Sequence, residues 1–96
     1  MRWRLLMKRI NGSKLTPASL SNEHFWMLIE ICPVYSEKMI RALRDFLVLG
    51  KERKNICELH NVSLSYFSVT LGRVSYVNEI VSSLTSYYCN DDSMRN

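Results

Sequence analysis

Glycine and proline are scarce in this 96-residue chain, with three of the first and two of the second. Their scarcity excludes collagen-like and low-complexity linker classes and leaves no glycine-rich loop to cradle a phosphate. Long apolar runs are missing too. The longest, Phe25 to Ile29, falls far short of the roughly 20 residues that cross a bilayer. The start, Met1 to Arg9, is basic but has no apolar segment of signal-peptide length, so secretion is not expected. The cysteines, Cys32, Cys57 and Cys89, are odd in number and follow no framework spacing, which reads as free thiols in a reducing compartment. Acidic residues are absent from the first 14 positions, which carry Arg2, Arg4, Lys8, Arg9 and Lys14. No stretch shows strand-like alternation or a hairpin signal, so the expected class is all-α.

What is present is apolar residue at helical spacing and unevenly placed charge. Hydrophobic residues make up 47%, too many for a disordered chain, and the length suits one small domain. The net charge is +4, but residues 1–14 hold +5 and residues 51–73 hold +2, leaving −3 elsewhere. Positive charge concentrated in an arm and one internal segment points to a polyanionic partner. A solvated basic tail that only aids solubility is the plainer reading of the same pattern.

Four to five helices are expected. Residues 1–18, with the turn signal Asn11-Gly12-Ser13 and then Thr16-Pro17, read as a basic, extended or mobile arm. A first helix starts near the N-cap residue Ser21, carries Phe25, Leu28, Ile29 and Cys32 on one face, and ends before Pro33. A second starts at Ser36 and carries Ile40, Leu43, Phe46 and Leu47, with Lys38, Arg41, Arg44 and Asp45 mostly off the stripe. Gly50 suits its left-handed C-terminal cap. A third covers about Glu52 to His60. A fourth begins at Leu64 and keeps apolar residues at steps of three and four through Phe67, Leu71, Val74, Val77, Val81 and Leu84 to about Tyr88. Periodicity leaves open one long helix or two with a break near Asn78. Ser82, Ser83, Thr85 and Ser86 are poor helix formers, so fraying is expected there. The helical domain is thus placed at residues 19–90, with a polar tail at 91–96.

Residues of about 51–74 have the pattern of a helix-turn-helix. Cys57 supplies the small side chain where two helices cross. Asn61 suits a turn position with positive φ, and Val62 plugs the corner. Ser63 caps the next helix, and Phe67 and Leu71 pack it back on the first. The outward positions of that helix are Ser65, Tyr66, Ser68, Val69 and Arg73. Arginine, lysine, asparagine and glutamine are the good readers of base edges, and this face has only Arg73. Direct base readout is therefore expected to be weak. Phosphate contacts from Arg53, Lys54, Ser63 and Ser68, together with DNA shape and an AT-rich minor groove, are expected to carry affinity.

Competing chemistries have little support. Cys57 and His60 lie three apart on one helix, but a metal site normally needs four ligands, and Cys32, Cys89 and His24 fall in other elements. Cys57 reads better as a small buried residue. No nucleophile–histidine–acid arrangement is present, so neither catalysis, cofactor, metal nor small-molecule substrate is expected. The aromatic residues at helical spacing read as core or interface, except Tyr66, which falls on the outward side. A helical adaptor that docks a protein partner on the same scaffold is the alternative function.

The string Arg53-Lys54-Asn55-Ile56-Cys57-Glu58, followed by Tyr66-Phe67-Ser68-Val69-Thr70-Leu71-Gly72-Arg73, resembles the PapB/FaeA-type fimbrial (adhesin biosynthesis) transcription regulators. That family reads close to Gly-Tyr-Phe-Ser-Thr-Thr-Leu-Gly-Arg after the turn; here Ser65 replaces the glycine and Val69 the first threonine. Phe25 to Ile29, Ser36 to Lys38 and Ala42 to Gly50 match the family's earlier helices. Leu84 with Tyr87-Tyr88 matches its ending, with Ser86 in place of proline. The resemblance covers about residues 15–90. It implies a cytoplasmic, nucleoid-associated bacterial protein that regulates a fimbrial or pilus operon and binds AT-rich double-stranded DNA as a homodimer or larger homo-oligomer. It also implies that Arg53 matters for DNA binding and Cys57 for the integrity of the motif. Glu52 stands where a better capping residue is usual, which weakens the expected start of the third helix.

Overall fold

The computed structural model describes residues 14–95, with side chains described as far as Tyr88. Among these residues there are four helices and no strand: α1 (Asn22–Ile31), α2 (Glu37–Leu47), α3 (Arg53–His60) and α4 (Leu64–Arg95). Two begin as their hydroxyl residues require. Ser21 Oγ accepts the His24 N–H, and Ser36 Oγ accepts the Met39 N–H at 3.3 Å. Each removes one orphan donor from a first turn. α1 stops where Pro33 forbids continuation, with Cys32 already extended at φ −97° and ψ 128°.

The end of α2 is a left-handed glycine cap. Gly50, at φ +75°, donates to the Phe46 carbonyl at 3.2 Å, and Lys51 donates to Asp45 O at 3.0 Å. The Gly50 bond, four residues back from a left-handed glycine, is the αL type of helix ending, and it turns the chain sharply into α3. Glycine is favoured here on two grounds. The φ is positive, and an added Cβ would stand 3.1 Å from Ala18 Cβ.

Ala18 is held in place. Its N–H reaches Phe46 O at 3.0 Å, Leu20 N–H reaches Leu47 O at 3.0 Å, and Leu15 N–H reaches Ser75 Oγ at 2.9 Å. The last part of the basic arm therefore lies along α2 and α4. Residues 1–13, including the turn at Asn11–Ser13, fall outside the described residues.

One core joins all four helices. Phe25 and Leu28 of α1 meet Met39, Ala42, Leu43, Phe46 and Leu47 of α2, Ile56 and Cys57 of α3, and Phe67, Leu71 and Val74 of α4. Two expectations for α2 change. Ile40 is only partly buried, whereas Met39 and Ala42 are fully buried, so the stripe is rotated from the one read off the sequence. Asp45, expected off the stripe, is buried at 9% exposure. Its carboxylate accepts from His60 Nε2 at 2.7 Å and lies 3.9 Å from Lys51 Nζ. These partners, rather than solvent, satisfy it.

The question left open by periodicity is resolved: α4 runs unbroken through Asn78, whose Oδ1 accepts from His24 Nε2 at 3.1 Å. Val77 and Val81 still pack partly on the core, but every residue from Ser82 to Tyr88 is exposed. The polar segment Asn90–Asp92 continues the same helix. No helix among the described residues is long and apolar enough to cross a membrane.

Candidate nucleic-acid interface

The helix-turn-helix is α3, its turn and the first turns of α4. Asn61 sits in the left-handed region at φ 57° and ψ 49°, as a turn this tight demands. The Val62 N–H then reaches the Cys57 carbonyl at 3.0 Å, and the Val62 side chain packs against the core edge. Ser63 Oγ accepts the Tyr66 N–H at 3.1 Å, capping α4. Phe67 and Leu71 have no exposed surface, and Cys57 retains 7%. All five residues assigned to the integrity of the motif, Cys57, Asn61, Val62, Phe67 and Leu71, occupy the positions that the pattern demands.

The residues proposed to touch DNA divide into two groups. Ser65, Tyr66, Val69 and Arg73 are exposed and share one face of α4 at helical spacing. Ser63 and Lys54 are also exposed, on either side of the turn. A cleft of about 460 Å³ lies beside the turn, lined by Lys54, Cys57, Glu58, Asn61, Val62 and Leu64. Ser68 does not belong with the outward face. It is half-buried on the opposite flank of α4, where its Oγ accepts from Arg53 Nη1 at 3.5 Å. The step of about 100° per residue carries Ser68 past the buried Phe67 and toward α3.

Arg53 is the least ordinary side chain of the interface. It is half-buried, and its guanidinium carbon lies 5.1 Å from the centroid of the Phe46 ring and 6.0 Å from that of Phe67. The two rings meet edge to face at 5.6 Å and 85°. Arg53 makes no ion pair among the described residues, whereas Arg41 and Lys51 each have a carboxylate within 4 Å. It is also the first residue of α3, where the helix dipole is positive and no acidic residue stands in the first turn. Glu52 supplies no side-chain cap there, so the weak start expected from that residue is what the structure has. A cation at this end of a helix lacks an anion, and the adjacent amide donors favour one.

Burial pushes the Cys57 thiol above its ordinary value, and the nearby Arg53 charge opposes the shift. Cys57 is therefore a packing residue and a poor thiolate. Burial raises Cys32 likewise, with Arg73 opposing. His60 Nε2 is committed to Asp45, not to a ligand shared with Cys57. Sequence reasoning missed Phe46 and Asp45 as partners of the interface residues. A phenylalanine on an apolar stripe carries no sign that a guanidinium will lie on it, and the Asp45–His60 pair spans 15 residues.

A short helix, a tight left-handed turn and a second helix with an exposed outer face, flanked by cations that make no ion pair among the described residues, define a helical transcription regulator of the helix-turn-helix class. The chain belongs to the adhesin biosynthesis transcription regulatory protein family, whose model matches residues 2–88. It is similar to the major pilus subunit operon regulatory protein PapB of Escherichia coli, with 40% identity over 88% of this chain and 81% of that one. It is also similar to the AFA-III adhesin operon regulatory protein of E. coli, with 50% identity over 67% of this chain and 63% of that one. The crystal structure of E. coli FocB superposes with a TM-score of 0.82 at 38% identity, covering 88% of this chain and 97% of FocB. The family is one of regulators, not enzymes.

Proposed function

We propose that this regulator controls a fimbrial or pilus adhesin operon by binding AT-rich double-stranded DNA as a homo-oligomer, in the bacterial cytoplasm and in association with the nucleoid. The relatives named for pilus and adhesin operons support the target class. The composition of the exposed α4 face carries the binding mode: it offers Ser65, Tyr66, Val69 and Arg73, with one good base reader among them. The cations without an ion pair among the described residues sit instead at Arg53 and Lys54 on α3 and at Arg73 two turns into α4. That arrangement suits phosphate contact, groove shape and minor-groove entry better than a base-by-base code. Ser63 and Ser65 add hydroxyl contacts to the backbone. Ser68 acts through Arg53.

A module of this kind binds weakly alone, and repetition along the DNA supplies affinity. The exposed stretch of α4 has the surface for it. Leu84, Tyr87 and Tyr88 are exposed, and no charge occurs between Glu79 and Asp91. A neutral, partly apolar helix is where two copies of a positively charged chain can meet without repulsion.

Fluorescence anisotropy on matched AT-rich and GC-rich duplexes across a salt series tests this reading. Three to five phosphate contacts per protomer predict that log affinity falls with log salt at a slope of about −3 to −4.5, with the AT-rich duplex preferred. Sedimentation of the Tyr87→Ser/Tyr88→Ser variant should show a smaller assembly than the wild type. A sharp, salt-insensitive preference for one GC-rich site, or binding to no duplex at all, would sink the reading.

A further inference from the structure

Three helices converge on one guanidinium. Arg53 comes from α3, Phe46 from α2, and Phe67 and Ser68 from α4. We propose that Phe46 is a positioning residue for DNA binding: its ring, packed edge to face with that of Phe67, holds the Arg53 guanidinium in the orientation that takes a backbone phosphate. The proposal rests on the DNA-binding reading above, with Arg53 as a phosphate contact.

A free arginine side chain samples many rotamers, and ordering it on binding costs affinity. Arg53 is ordered beforehand. Its guanidinium carbon lies over the Phe46 ring, 5.1 Å from the centroid and within the range where a ring attracts a cation. The Nη1 group reaches the Ser68 hydroxyl in a long hydrogen bond of 3.5 Å. A guanidinium has five N–H donors, so these contacts leave donors for an anion. Among the described residues no carboxylate competes for them, since the ion pairs go to Glu37 and Asp45. Among the described residues this half-buried cation has no charge partner, and a nucleic-acid backbone brings one. Ser68 then belongs to the bracket rather than to the phosphate contacts.

Lysine cannot replace this device. Its ammonium is a compact, strongly hydrated charge with no planar face to lay on a ring and no fork to share between a hydroxyl and a phosphate. Phe46 also fills core volume, so its two roles need separating. Leucine keeps most of the volume and removes the ring, and tyrosine keeps the ring.

A double-mutant cycle on the full chain separates them, read as the Kd for a labelled AT-rich duplex at a temperature where circular dichroism shows every variant folded. Phe46→Leu should weaken binding about three- to tenfold, the span that a modest cation–ring attraction converts to. Arg53→Ala should weaken it more. Phe46→Leu on top of Arg53→Ala should then change nothing further, because the ring has no guanidinium left to hold. Arg53→Lys, which leaves the core untouched, should lose nearly as much as Arg53→Ala, and Phe46→Tyr should bind like the wild type. Equal penalties for Phe46→Leu with and without Arg53 would overturn the proposal and leave Phe46 a core residue only. Wild-type affinity in Arg53→Lys would overturn it as well. Wild-type affinity in Arg53→Ala would instead remove Arg53 from the DNA contacts, a failure of the underlying reading that the same data identify.

Discussion

Replacing Gly50 by alanine should destabilise the domain through two causes that can be separated. Gly50 sits at φ +75°, where an L side chain costs about 1–2 kcal/mol. Alanine returns about 0.5–1 kcal/mol of that by restricting the unfolded chain. The added Cβ then meets Ala18 Cβ at 3.1 Å. Ala18 cannot step aside freely, because its N–H is bonded to Phe46 O at 3.0 Å and its own φ is 55°. The net cost is about 1–3 kcal/mol, which for a domain of this size lowers the melting temperature by roughly 4–8 °C per kcal/mol. Thermal unfolding followed by circular dichroism reads it directly. Gly50→Asn should cost less, because asparagine tolerates the left-handed region. Ala18→Gly should be neutral or stabilising alone and should recover more of the loss in the Gly50→Ala background than in the wild type, since it removes both the contact and a strained φ. A Gly50→Ala variant that melts within a degree of the wild type refutes the reasoning, as does strict additivity of the two substitutions.

Other positions give sharper single outcomes. Asn61→Gly should leave the melting temperature nearly unchanged, whereas Asn61→Val should cost at least about 1 kcal/mol, because the turn holds φ at 57°. Asp45→Ala and His60→Ala should each cost about 1–2 kcal/mol in chemical unfolding, and the double variant should cost less than their sum by more than about 0.5 kcal/mol, because they break one 2.7 Å bond. Stability should fall as pH rises above about 9, and Cys57→Ala should shrink the fall. The folded thiol has a raised pKa, so its contribution is complete below the ordinary value of 9.0 and is lost as pH climbs through the folded one.

Most of the fold was legible because its punctuation is local. Ser21, Ser36, Pro33, Gly50, Asn61 and Ser63 act through bonds to their own neighbours or through their own φ, and each ends or starts a helix where the pattern places it. The buried face of α4 followed from the spacing of Phe67, Leu71 and Val74 for the same reason. The candidate interface was legible only in part. Ser65, Tyr66, Val69 and Arg73 fall together because one helix sets their spacing. Ser68 was misplaced because one residue of rotation moves a side chain by 100°, and the packing of Phe67 decides which flank faces α3. The α2 stripe was off for a similar reason: Met39 and Ala42 are buried because α1, α3 and α4 all press on that side.

The sequence by itself determined the helices, the left-handed turns, the helix-turn-helix and the placing of positive charge, since each depends on residues no more than a turn or two apart. Only the tertiary structure decided that Arg53 lies on Phe46 and Phe67, that Asp45 is buried against His60, and that Ala18 adds a close contact to the reason for glycine at position 50. Those pairings join residues 7 to 32 positions apart that lie in different elements, and no local rule of spacing relates them. They exist because four short helices must share one small core, and whatever side chains that packing brings together must satisfy one another.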